Sequence, residues 1–446
     1  MKNEELNRIL RALGAAIALG AAVQAQDLVP KAGPQERPVL IRHATVHTVA
    51  GDVLHDADLL FDAGVIRAVR SGRVGSELVE GAEVVDARDK HVYPGFVCVA
   101  STLGLSEIGA VDMTVDTSEA GTQNPEVVAA VAVNPDSWLF PVARRNGVLT
   151  AGVMPQGGVV PGRASVLRLD GWTWEDMALE RDAGLVVNWP FMGSGGRGRF
   201  FGRRFGGGGE GASAEETIAQ LDALLDAAAA YGAARAADVS VKTDLRLEAL
   251  APTLSGATPV FVNAASLEQI ESAVAWAARR GLRIVLVGGR DANQCLELLK
   301  RHDVAVAVTA VHRMPHRRDL SYASTYELPS ELEAAGVRWC LTMPAREGSN
   351  VRNLPYEAAA AVAYGLDRTA ALRSITLSAA ECLGVAERLG SIEVGKAATL
   401  FVADGDPFEL TTQIEAAFID GRRIDLRDKQ TELDRKYREK YRQLGK

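Results

Sequence analysis

Asp86-Ala87-Arg88-Asp89-Lys90-His91-Val92-Tyr93-Pro94-Gly95-Phe96-Val97 runs directly into Cys98-Val99-Ala100-Ser101-Thr102. The last five residues bring no imidazole and no carboxylate. Upstream of them, from Arg37 to Val92, short apolar runs are broken by Gly and Asp: Val39-Leu40-Ile41, Asp58 to Phe61, Val65 to Val69 and Glu83-Val84-Val85. Runs of this length bounded by turn formers are strand signals, and together they predict a small β-sandwich. Downstream, strand-like and helix-like runs alternate: Thr258 to Val262, Leu267 to Arg280, Arg283 to Val287, Leu296 to His302, then Val304 to Val308. That alternation is the mark of βαβ units, so the predicted class is α/β.

A second stretch near the far end strengthens the assignment. Leu389-Gly390-Ser391-Ile392-Glu393-Val394-Gly395-Lys396-Ala397-Ala398-Thr399-Leu400-Phe401-Val402 is followed by Asp406-Pro407 and by Ile419-Asp420-Gly421-Arg422. Before it stand Ile375-Thr376-Leu377-Ser378-Ala379-Ala380 and Leu383-Gly384-Val385. With the Pro94-Gly95-Phe96 entry strand, the order and spacing of these pieces resemble the metal-dependent amidohydrolase superfamily, in its imidazolonepropionase-like branch. The resemblance covers nearly the whole chain after residue 37. It implies a (β/α)8 TIM-like barrel at 95–387 and a composite β-sandwich from 37–94 plus 388–424. It also implies an active face at the C-terminal ends of the barrel strands.

The resemblance further implies a divalent metal, zinc or another, held by His and carboxylate side chains at those strand ends, and here the chain departs from it. Where the first barrel strand should carry Asp-x-His-x-His, Ala100 and Thr102 fill the two His positions. An Ala methyl has no lone pair, and a Thr hydroxyl is a poor replacement for imidazole. Asn263 stands in the His position of strand 5, Gly288 in that of strand 6, and Met343-Pro344 where strand 8 should lead into Thr-Asp. Lys242 is the nearest candidate for the strand 4 lysine. Losing the whole donor set removes the means of lowering the pKa of a bound water. No cofactor is therefore predicted, and the chain reads as a divergent member lacking the metal-ligand histidines.

Other polar groups are candidates for the barrel mouth. His312, Arg313 and His316 follow the strand Val304 to Val308, and Pro315 between the two His argues for a loop rather than a helix face. With Arg317 and Arg318 they predict a basic rim suited to a weakly anionic ligand or a partner's acidic surface. The Ser106–Glu119 loop carries Glu107, Asp112, Asp116 and Glu119, which serve either acid–base work or plain solvation. Gly193–Gly211 holds ten Gly and four Arg, and reads as a flexible insertion, a lid or an RNA-binding patch. Residues 425–446 read as a charged, exposed C-terminal helix and a candidate interaction arm.

Composition narrows the partners. Over 446 residues the net charge is -8, which argues against nucleic acid. No apolar run reaches 18 residues, so no membrane span is predicted. Arg8 and Arg11, the apolar stretch Ala12 to Val23 and then Ala25 predict a signal peptide over 1–25, with cleavage near Ala25 and export to the periplasm or beyond. Cys98, Cys295, Cys340 and Cys382 lie in apolar runs, where free Cys packs as a small hydrophobe. No G-x-S-x-G elbow or phosphate-binding glycine loop is present. Two functions remain open. The first is a non-catalytic protein that binds a small-molecule ligand or a catalytically competent amidohydrolase relative, its oligomeric state undefined. The second is an active hydrolase of carbon–nitrogen bonds working through another site.

Overall fold

The computed structural model describes residues 29–75, 79–192, 213–346 and 348–445. The 1–25 leader and the Gly193–Gly211 insertion lie outside the described residues. Both of the chain's sheets belong to the unit Lys31–Lys446.

One sheet is built from both chain ends. Its strands are β1 (Val39–His47), β2 (Val53–Asp62), β3 (Val65–Ser71), β4 (Glu83–Asp86) and β5 (His91–Pro94). The other sheet, described below, takes β6 to β13, after which the first resumes with β14 (Leu400–Ala403), β15 (Ile414–Ile419) and β16 (Arg422–Arg423). The seam between the ends is the antiparallel β5–β14 pair, with Tyr93 opposite Phe401 and Val92 opposite Val402. Ile41, Leu59, Phe61, Ile66, Leu400 and Phe418 bury their side chains in its core.

A histidine pair closes one part of this sheet. His47 Nε2 lies 3.1 Å from His91 Nδ1, and its ring stacks on Tyr93 at 4.2 Å. Burial, reinforced by His91, His55 and Arg368, lowers the His47 pKa to about 4. The folded state thus holds neutral a group that the unfolded chain protonates below about 6.5. The contribution is complete above that pH and is lost as pH falls from about 6.5 towards 4. His47 is partly exposed, so solvent screening limits the loss to roughly 1–2 kcal/mol. Urea unfolding at stepwise pH checks this: His47→Asn should flatten the slope in that window, and an unchanged slope would rule His47 out as its source.

Gly95 carries the chain into the second sheet. A Cβ there would lie 2.9 Å from Leu149 Cβ, so only glycine permits the close approach. The second sheet runs β6 (Phe96–Ser101), β7 (Val148–Val153), β8 (Gly162–Arg168), β9 (Ala178–Asn188), β10 (Val260–Ala264), β11 (Ile284–Gly288), β12 (Ala305–Thr309) and β13 (Trp339–Thr342) in spatial order. The last strand meets the first where Ala100 N donates to Thr342 Oγ1 at 2.9 Å, nearly closing an eight-stranded barrel.

Helices cover the outside where the chain crosses over. Leu267–Arg280 buries Ile270, Ala273, Val274, Trp276 and Ala277. It starts at a Ser266–Gln269 capping box and stops at left-handed Gly281. One departure from uniform βαβ order separates structure from expectation. β8 runs antiparallel to both β7 and β9. Antiparallel neighbours need only short connections, so no long crossover helix separates them.

The two sheets are tied by charge. Asp170 is fully buried and accepts from Arg144 Nη1 at 2.8 Å and from Arg422 Nη1 at 2.8 Å. Arg144 belongs to the barrel's side of the joint and Arg422 to the composite sheet's last strand.

Candidate functional site at the barrel mouth

Inside the barrel, side chains stack in layers set by strand register. Asn188 pairs with Asn263, Asn263 with Val287, Val287 with Ala307 and Ala307 with Cys340. Residues paired in this way point to one face of the sheet. Below this layer Phe261, Val285 and Ala305 fill the interior, together with Val97, Val99 and Val166. The layer above it carries Thr309 opposite Thr342.

The sequence-predicted positions fall as follows. Ala100 is fully buried at the end of β6, and Thr102 follows it, also buried. Asn263 reaches the interior, and its Nδ2 donates to Asn188 Oδ1 at 2.7 Å. Gly288 requires a correction. The residue level with Asn263 is Val287, so Val287 takes the inward place, while Gly288 pairs with Ala264. Gly288 also sits at φ 119°, and a Cβ there would stand 2.8 Å from Ala264 O. No side chain fits that backbone without strain. Lys242 is corrected as well: it lies exposed in a loop, and the fourth barrel strand ends at Asn188.

These residues do not fit a divalent metal. The strand ends offer a methyl, a valine, hydroxyls and two amides that bond to each other. Among the described residues, no three His, Cys, Asp or Glu side chains come together as a metal cluster. Thr342 Oγ1 is engaged with Ala100 N and lies 3.5 Å from Cys98 Sγ. All four cysteines are free and buried, as packed hydrophobes would be.

His312, Arg313 and His316 lie in the loop after β12, but the expected basic rim is not a row of free cations. His312 Nδ1 lies 3.1 Å from Glu357 Oε1, and Glu357 Oε2 accepts from the backbone N–H of Val311 at 2.5 Å and of His312 at 3.0 Å. Glu357 is buried, whereas His312 is about half exposed and meets Tyr326 edge-on at 5.7 Å. His316 Nε2 lies 3.2 Å from the buried Asp291, which Arg290 also approaches. Partial burial lowers the His316 pKa, with Arg290 and Arg317 acting the same way and Asp291 opposing. Thr325 Oγ1 donates to Arg313 O at 3.0 Å, tying Arg313 to the following helix.

The mouth therefore presents two His–carboxylate pairs, and the sequence reading missed both carboxylates. Glu357 could have been found as the single charge in the apolar helix Leu354–Ala363. Asn188 could have been found as the second Asn to end an apolar strand run, as Asn263 does.

Comparison with known proteins agrees with the fold. A model of the amidohydrolase family matches residues 283–424. Amidohydrolase tasK of Hapsidospora irregularis is 26% identical over 436 residues, which covers 86% of this chain. The chain spans only 43% of that protein's length. The crystal structure of an amidohydrolase from Thermotoga maritima MSB8 is similar with a TM-score of 0.78 at 25% identity, covering 87% of this chain and 100% of that one. Molinate hydrolase, at 16% identity and a TM-score of 0.53 over 89% of this chain and 96% of its own, shares the fold alone. Residues 283–424 thus match the amidohydrolase family, and the barrel around them is similar to that of a solved amidohydrolase.

Proposed function

We propose that this chain is an exported amidohydrolase-fold protein that has given up metal-dependent hydrolysis and uses its barrel mouth to bind a ligand or a catalytically competent relative. The family match suggests a hydrolase, so the departure has to be argued from the site. The observation that carries it is the pairing of the strand-end polar groups with one another. Asn263 bonds to Asn188, and the backbone amide of Ala100 to Thr342, so polar groups at and beside the expected ligand positions are already engaged. Binding outlasts catalysis in such a place, because a concave site needs only shape and a few polar groups. His312 and His316, each held by a buried carboxylate, supply such groups.

One observation favours a second reading, a metal-free hydrolase of carbon–nitrogen bonds. His312 held by Glu357 has the geometry of a base with its orienting partner. No nucleophile beside it is assigned.

Elemental analysis tests the first reading. Protein purified with zinc, manganese and iron in the medium should hold under about 0.1 metal ion per chain after dialysis, since a site without donors has no affinity to retain one. Near-stoichiometric metal surviving gentle chelation would overturn it. Amide hydrolysis that persists in chelator and disappears in His312→Ala would favour the second. Intact mass of the same secreted preparation should show a chain starting after Ala25, and a chain starting at Met1 would refute export through this leader.

A further inference from the structure

Two exposed patches far apart in the sequence carry matching chemistry. The C-terminal helix Lys429–Gln443 buries none of its residues. Leu433, Tyr437 and Tyr441 on it, and Leu444 just beyond, are all exposed. At 100° per residue these four fall within one narrow arc, an apolar stripe without a partner. The three helix arginines are paired along the helix itself: Arg435 with Glu432, Arg438 with Asp434 at 2.6 Å and Arg442 with Glu439 at 2.7 Å. Lys429, Lys436 and Lys440 form no ion pair among the described residues, and on the helical wheel they flank one edge of the stripe. An open groove of about 570 Å³ beside them is lined by Trp138, Leu433 and five charged helix residues, Lys429 and Lys436 among them.

The other patch is the Ser106–Glu119 loop. Ile108, Val111 and Met113 are exposed there, Met113 at 98%. Asp112, Asp116 and Glu119 stand exposed among and just after them, without ion pairs among the described residues. The loop is closed on itself. Ile108 N donates to Thr114 Oγ1 at 3.1 Å, Thr114 Oγ1 donates to Ile108 O at 3.0 Å, and Glu107 N donates to Thr114 O at 3.1 Å. These bonds hold its apolar residues outward, so little ordering remains to be done on binding.

The charges match in the same sense. From Lys429 to Lys446 there are seven Lys and Arg against three Asp and Glu, a net +4. The whole chain carries -8, so the remainder carries -12. Opposite fields attract two copies, and apolar stripes at the centre of each patch supply the area that charge alone does not.

We propose that the chain self-associates, with the C-terminal helix of one copy docked on the Ser106–Glu119 loop of a second. Leu433, Tyr437 and Tyr441 cover Ile108, Val111 and Met113, and Lys429, Lys436 and Lys440 face Asp112, Asp116 and Glu119. The loop leaves the C-terminal end of β6, the mouth end of the barrel, and the proposal stands whether or not the His312–Glu357 pair binds a ligand.

Sedimentation of the full chain over a concentration series provides the test, with circular dichroism confirming the fold of every variant. Wild type should associate, and more weakly in high salt, because exposed pairs are screened. Lys429→Glu, Lys436→Glu and Lys440→Glu together should weaken association at least about tenfold, and so should Asp112→Lys, Asp116→Lys and Glu119→Lys. Mixing the two folded variants should restore it, because each supplies the charge that the other now needs. A monomer at every concentration would overturn the proposal. So would association indifferent to either set, or two weakened variants that fail to pair with each other.

Discussion

Asp170→Ala is expected to lower the unfolding free energy by about 3–5 kcal/mol, the range for removing one partner of a buried ion pair. Asp170 and Arg144 are both inaccessible to solvent, and the carboxylate also accepts from Arg422. Without it the Arg144 guanidinium stays buried and charged, since burial pulls its pKa down but an arginine cannot shed its proton in a protein. Arg144 Nη1 would keep the Leu169 carbonyl, at 3.2 Å. The loss falls on the joint between barrel and composite sheet, because Arg422 lies on the far side of it. Asp170→Asn keeps the shape and part of the bonding and should cost less than Asp170→Ala. Urea unfolding measures both. A loss below about 1 kcal/mol for Asp170→Ala, the scale of an exposed pair, would show that the joint does not depend on this carboxylate.

The fold was legible because its signals are local. Apolar runs and turn formers around Val260–Ala264 and Leu267–Arg280 place a strand and a helix to within two residues, since periodicity and capping act over a few positions. The shared sheet of the two chain ends was legible only through the resemblance, because nothing in Leu400–Ala403 alone points to His91–Pro94 as its neighbour. What stayed hidden depends on depth in the barrel. Whether Val287 or Gly288 faces inward is decided by register against Asn263, and one step along a strand reverses the face. The antiparallel β8 was hidden for a similar reason, since strand direction is not written in the run of apolar residues. Asp291 follows the strand next to Asn263's own, but Glu357 lies far along the sequence, and only the fold brings its helix to the loop that carries His312.

Placing histidines at the positions the resemblance assigns to ligands should not create a metal site. A chain carrying Ala100→His, Thr102→His, Asn263→His and Gly288→His is expected to hold under about 0.1 metal ion per molecule and to show no hydrolysis beyond the parent, because affinity requires placed donors. The chemistry of each position says why. At residue 100 an imidazole must enter a fully buried site now filled by a methyl, where overpacking costs about 1–3 kcal/mol. At residue 263 the new ring would remove the hydrogen bond from Asn263 Nδ2 and leave Asn188 Oδ1 short of that donor. At residue 288 any Cβ meets Ala264 O at 2.8 Å on a backbone at φ 119°, and the inward place belongs to Val287. The combined chain should be less stable than the parent by at least about 3 kcal/mol in urea. Ala100→His with Thr102→His alone should also fail, because the ends of β10, β11 and β13 would still lack donors. Elemental analysis beside an amide-hydrolysis assay decides the matter. Stoichiometric zinc and new activity in the four-fold variant would mean that the barrel still holds the geometry of a metal site and has lost only its side chains. The pairing of Asn263 with Asn188 and of Thr342 with Ala100 would then be a passive filling of an intact site. Failure in both would agree with strand ends that do not place these side chains around a metal, Gly288 above all, whose level is filled inward by Val287.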